Sequence, residues 1–228
     1  MNEEAGSQET DRLTEEAFNR REKLWQSVGE IEPRVFAPII NPALTGGPEW
    51  PNMSQGFRLI KLQNGNTVLA TEGLSNPFRP GHPLSADGSG FGLEFYVETD
   101  EDLGGSIHSW QFDILNQVAQ NAAYHGDFRE ILDDIKYVSM ELNGVRVPVG
   151  YRYPREGQGG VLLGLPSKTI PASVQLPKGD ALLVSVTMLH PQELEIAAQG
   201  EDARNKLAEQ FTQKYDEPLS SVIREPLA

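Results

Sequence analysis

Gly88-Ser89-Gly90-Phe91-Gly92 is rich enough in glycine to cradle a phosphate. A phosphate-binding turn, however, follows a strand and opens a helix, so that helix N–H groups face the anion. This run leads into a strand pattern and has neither Lys-Ser nor Lys-Thr after it, so it reads as a flexible, closely packed entry to that strand. The histidines His82, His108, His125 and His190 show none of the HxH, HxxxH or HExxH spacings that bring two imidazoles to one metal. A serine nucleophile needs a GxSxG elbow or a base nearby, and neither Gly88-Ser89-Gly90 nor Gly73-Leu74-Ser75 is such an elbow. Carboxylates cluster at Glu94, Glu98, Asp100, Glu101 and Asp102. The last three follow a strand pattern and read as a solvated acidic loop. Glu94 alternates with Leu93 and Phe95, which puts it on the face away from the core; it reads either as a solvent-facing or cross-strand residue, the favoured reading, or as part of a buried ion pair. No catalytic, metal-binding or cofactor-binding constellation emerges, and the expectation is a non-enzymatic protein.

The elements that must position these residues follow from periodicity. Leu13, Ala17, Leu24, Trp25 and Val28 share one face of a helix over 11–28, with Gly29 as its expected C-cap. Residues 34–40 read as extended, and 41–56, with its prolines and glycines, as an ordered loop. Residues 57–63 and 67–71 flank Asn64-Gly65-Asn66, a strong hairpin signal. A long irregular connection over 72–90 precedes a strand over 91–98. Trp110, Ile114, Leu115, Val118, Ala119 and Ala122 stripe a helix over 107–125, capped by Gly126, and a short helix over 127–135 follows. A second hairpin is expected over 137–151 about Asn143-Gly144. Strands over 161–165 and 181–189 come next, the latter central, and then helices from Pro191 and over 201–215. The expected fold is α+β: a mostly antiparallel central sheet with helices packed on it, in one domain over 1–228. The ends, 1–10 and 216–228, read as flexible.

Bulk composition narrows the partners. The 228 residues carry a formal net charge of −14 and contain no cysteine. Such a surface repels phosphate backbones, so nucleic acid is not expected as a partner, whereas a basic protein would be steered toward it. Without cysteine there are no disulfides, thiol nucleophiles or thiolate metal sites. The polar, acidic first residues lack the features of a signal peptide, and no apolar run is long enough to cross a bilayer, so a cytoplasmic protein is expected.

Three segments in order resemble the suppressor of fused family. Thr71-Glu72-Gly73-Leu74-Ser75-Asn76-Pro77-Phe78 is similar to the family's strand and Gly-Leu-Ser turn. Gly90-Phe91-Gly92-Leu93-Glu94-Phe95 is similar to its glycine-phenylalanine-glycine entry to a Glu-bearing strand. Trp110 to Tyr124 matches the long helix that follows, and Pro191-Gln192-Glu193-Leu194-Glu195 resembles a helix start of bacterial members. The family's His-Trp-rich strand before the turn is replaced by Asn66-Thr67-Val68-Leu69-Ala70. The resemblance implies a suppressor-of-fused-like domain of bacterial type that binds protein. In animals the member is a cytoplasmic regulator holding a transcription factor, with a second domain that clamps the bound peptide; this chain is too short to include that domain, and that role is not carried over. Bacterial members are thought to be immunity proteins that neutralise toxins. No catalytic residues are implied.

Three functions are therefore weighed: an immunity-type protein occluding a basic toxin domain, an adaptor for an extended peptide, and a hydrolase with a scattered site. The expected interface lies on loops 41–56 and 72–90, because binding residues concentrate on loops held by a rigid scaffold. The candidate partner-binding residues are Trp50, Phe78, His82, Asp87, Asp100, Glu101 and Asp102. Trp50, in Gly47-Pro48-Glu49-Trp50-Pro51, reads equally as an exposed anchor or as a plug beneath its loop.

Overall fold

The computed structural model describes residues 2–84, 88–104, 108–151 and 153–227. The elements run α1 (Asn2–Val28), β1 (Gly29–Ile31), β2 (Gly56–Leu62), β3 (Thr67–Glu72), β4 (Leu93–Thr99), α2 (Trp110–His125), α3 (Phe128–Ile135), β5 (Val138–Asn143), β6 (Gln158–Leu163), β7 (Ser173–Leu176), β8 (Gly179–Met188), α4 (Pro191–Ala197) and α5 (Glu201–Lys214). The eight strands form one sheet in the order β1-β2-β3-β4-β8-β6-β5, with β7 beside the first half of β8. Every pairing is antiparallel except β4 with β8. The fold is α+β, as the periodicities predict.

Helices cover both faces of the sheet, so its central strands are buried throughout. On one face Leu69, Leu93, Phe95, Val97, Val184 and Val186 pack against Ile114, Leu115, Val118 and Ala119 of α2 and Phe128 of α3. On the other, Ile60, Val68, Ala70 and Tyr96 pack against Ala17, Trp25 and Val28 of α1. Leu162 and Leu189 meet Ala197, Leu207 and Phe211 of α4 and α5. Each fully buried Leu, Ile or Phe contributes about 1.5–3 kcal/mol. The α2 stripe therefore accounts for this helix better than its intrinsic propensity does. Ser109 caps it by accepting from the Phe112 N–H at 3.2 Å, and Gly126, at φ 82°, ends it.

Several expectations change. Helix α1 starts at Asn2, well before residue 11. Gly29 is not a C-cap but the first residue of β1, where a Cβ would stand 2.4 Å from the Lys61 carbonyl oxygen. Within 34–40 only Phe36 pairs, through a bridge to Phe57. The expected second hairpin is rebuilt: β5 pairs with β6, Asn143 opposite Gln158, and 144–157 is a connection. Pro148 has no N–H for a ladder, while Val145 and Tyr151 are buried as plugs of the core. Residues after Asp216, expected as a flexible end, run into the fold, with Ser220, Ser221, Arg224 and Leu227 buried. Among the described residues no helix is long and apolar enough to cross a membrane.

Candidate protein-binding face and the buried network behind it

Under the turn from Glu72 to Asn76 lies a buried charge network. Glu94 on β4 sits 1% exposed. Its Oε1 accepts from the N–H groups of Gly73 and Ser75, each at 3.0 Å, and from Ser75 Oγ at 2.7 Å. Its Oε2 accepts from Thr71 Oγ1 at 2.6 Å. The turn thus wraps around the carboxylate, which overturns the solvent-facing reading: with helices on both faces, the side away from one core is another core. Arg21 of α1 donates through Nε to Glu72 at 2.5 Å, through Nη1 to Ser75 Oγ at 2.9 Å and through Nη2 to Asn76 Oδ1 at 2.6 Å. Arg58 of β2 donates to the other oxygen of Glu72 at 2.7 Å, and its guanidinium lies 4.3 Å from the centroid of the Phe18 ring. Burial pushes the Glu72 carboxyl up from its ordinary value, and the charge of Glu94 adds to this, while Arg21 and Arg58 oppose it. Two cations face two anions with little solvent access. The four charged groups tie α1, β2, β3, β4 and the turn together, and Glu72 and Asn76 also line the cavity beside Phe18 and Met53.

The glycine run behaves as its sequence context predicts. Gly90 has φ 57°, and a Cβ on it would stand 2.3 Å from the Leu74 carbonyl oxygen. Leu74 in turn accepts from the Phe91 N–H at 2.8 Å. The two motif segments are laced together backbone to backbone.

The candidate residues separate into two sets at opposite ends of β4, about 20 Å apart at ~3.3 Å per residue. Trp50 is 0% exposed and edge-on to Phe57, so it is the plug and not the anchor. Phe78 is likewise buried, edge-on to Phe91 and stacked on His82 at 4.1 Å. His82 stays half-buried. Asp87 lies outside the described residues. At the far end, Asp100 accepts from Ser221 Oγ at 2.7 Å. Glu101 accepts from Trp110 Nε1 at 3.0 Å and Gln111 Nε2 at 2.9 Å, tying down the start of α2. Burial raises the Glu101 carboxyl above its ordinary value. Exposed Asp102 lines a cleft of about 180 Å³ with Glu30, Glu32 and Lys61.

What the residue patterns missed is an apolar ridge between β1 and β2. Val35, Ile39, Ile40 and Leu44 are exposed, Ile39 at 103% and Leu44 at 73%. The ridge is built, not loose. Phe36 bridges Phe57, Asn41 Oδ1 accepts from the Ala43 N–H at 3.0 Å, and Asn41 Nδ2 donates to the Met53 carbonyl at 2.8 Å. Beside it, Phe18, Val35, Ala37, Pro38 and Met53 line a cavity of about 410 Å³. The sequence signal was Ile39-Ile40 inside a proline-rich stretch, adjacent apolar residues without a period to bury them.

No family model and no curated protein matches the chain. Among solved structures it is similar to a chain of the Sufu-Fu complex crystal structure. That match has a TM-score of 0.49 and 14% identity, covering 96% of this chain and 91% of that one. It is also similar to Drosophila Suppressor of Fused, with a TM-score of 0.44 and 12% identity, covering 70% of this chain and 38% of that one.

Proposed function

We propose that the chain is a non-enzymatic protein-binding domain of the immunity type, which docks a basic toxin domain on the ridge from Val35 to Leu44. The observation that carries this reading is the exposure of Ile39, Ile40 and Leu44 close together in sequence on one ordered connection, because exposed apolar clusters on otherwise polar surfaces mark association sites. The acidic cleft of Glu30, Glu32 and Asp102 precedes the ridge along β1, and the net charge of −14 favours a cationic partner. Blocking a toxin needs a complementary surface, not chemistry.

The test is capture from lysate of the source cells at low and high salt, with wild-type chain and with an Ile39→Glu, Leu44→Glu variant. The expected result is one basic protein, retained by the wild type, weakened by salt and lost by the variant at unchanged thermal stability. A protein retained equally by both chains places the interface elsewhere, and turnover in a hydrolase screen with no retained protein overturns the reading.

A further inference from the structure

The seam between β4 and β8 holds a second feature, independent of the apolar ridge. These parallel neighbours pair only from Leu93 opposite Leu182 to Tyr96 opposite Ser185. Beyond that point they part, and residues 218–221 lie between them as the inserted part of a strap over 217–227, whose later residues run on against His190 and Glu193. Leu219 bridges Glu98 in parallel, and the Ser220 N–H donates to the Glu98 carbonyl at 2.8 Å. On the other side, Ser220 Oγ accepts from the Met188 N–H at 2.9 Å and donates to the Val186 carbonyl at 3.4 Å. The hydroxyl thus takes the edge of β8 that β4 has left.

The strap is held as a recognised peptide is held, by groups that meet its backbone. Thr187 Oγ1 donates to the Pro218 carbonyl at 3.1 Å and Tyr151 OH to the Ser221 carbonyl at 2.9 Å. His190 Nε2 is 2.8 Å from the Arg224 carbonyl, and the Leu227 N–H donates to Glu193 Oε1 at 2.7 Å. Main-chain bonds of this kind supply affinity, and a few side-chain pockets supply specificity. Here the side-chain anchor is Arg224. Its Nη1 and Nη2 meet Glu193 at 2.7 and 2.6 Å, and Nη2 also donates to the Met188 carbonyl at 2.9 Å. The fit is incomplete: Val222 and Ile223 bulge outward, and a cavity of about 330 Å³ remains between 222–226 and Gly150, His190 and Gln192.

We infer that this seam is a peptide-binding groove filled in cis by residues 217–227. Its ligand in trans is an extended segment with a small hydroxyl residue followed four positions later by arginine, as Ser220 and Arg224 are spaced. A partner presenting such a segment competes with the strap for Glu98, Met188 and Glu193.

The test uses the full chain with a protease site placed after Asp216, an exposed position. After cleavage, a fluorescent peptide of residues 217–227 is added and its anisotropy followed, with circular dichroism reporting the fold. The expected result is exchange of the peptide into cleaved, still folded protein. An Arg224→Ala peptide is expected to bind roughly thirtyfold more weakly or worse, since it leaves buried Glu193 unpaired, and a scrambled peptide is expected not to bind. Unfolding on cleavage, absence of exchange, or equal binding of the scrambled peptide each overturns the inference, making the strap a fixed part of the fold. None of these readouts depends on the ridge or its partner.

Discussion

Ser75 gives Glu94 both its N–H and its hydroxyl, at 3.0 and 2.7 Å, and the same hydroxyl accepts from Arg21 Nη1. One serine thus links a β4 carboxylate to an α1 guanidinium through a turn. Glu94→Ala would strand the Gly73 and Ser75 donors and leave Arg21 short of a counter-charge. It is expected to cost about 3–5 kcal/mol, the penalty for breaking a buried charge pair. Ser75→Ala is expected to cost about 1–3 kcal/mol. Urea unfolding measures both, and because the residues share one network, the double variant should lose less than the sum. Strict additivity would show that Ser75 does not act through Glu94.

Arg21 tests the same network from the helix side. Its guanidinium reaches three partners, Glu72, Ser75 and Asn76, and the compact ammonium of Arg21→Lys cannot reproduce that fork. Arg21→Met should lower stability by about 3–5 kcal/mol by leaving Glu72 underpaired. Adding Glu72→Gln should recover part of the loss, because the uncompensated charge is then gone. A double variant less stable than Arg21→Met alone would show that Glu72 is held chiefly by Arg58.

The helices and the first hairpin were legible because each has a period or an Asn-Gly turn, and the central place of β8 because Ala181 to Leu189 is a near-continuous apolar run. The network was not, and Arg21 shows why. It stands between Ala17 and Trp25 at four-residue spacing, inside the apolar stripe, where a charge breaks the pattern instead of extending it. Glu94 misled for the matching reason: alternation assigns faces, but both faces of this sheet are covered, so "away from the core" did not mean "toward water". The parallel seam of β4 and β8 was hidden because they are about eighty residues apart and no local signal records such a pairing. The strap was read as an end because its anchors are spaced hydroxyls and one arginine, not a hydrophobic period.

Trp50 decides between anchor and plug in solution. Trp50→Ala empties a fully buried site against Phe57 and should cost about 3–5 kcal/mol. If instead Trp50 contacts a partner directly, the variant stays as stable as the wild type in thermal unfolding and loses only binding.

The last prediction concerns pH and falls on His190. Its ring is buried, stacked on Tyr151 at 4.2 Å. Because a carbonyl only accepts, its Nε2 carries the proton shared with Arg224. Burial holds the imidazole below its ordinary value, and the neighbouring Arg224 cation acts in the same direction, while the hydrogen bond to the Arg224 carbonyl and the carboxylates of Glu193 and Glu225 oppose it. A histidine lowered in the folded state binds fewer protons there than in the unfolded chain. Its contribution is therefore complete above the unfolded value of about 6.5 and is lost as pH falls through the lower folded value. The wild type should lose stability between about pH 7 and pH 5 more steeply than His190→Gln, which does not titrate there. Hydrogen exchange at Arg224 and Leu227 should accelerate over the same interval, because the protonated ring is disfavoured beside the strap's guanidinium. Identical acid limbs for the two proteins, with exchange at the strap unchanged, would exclude His190 as its latch and leave the strap to Glu193, Tyr151 and Thr187.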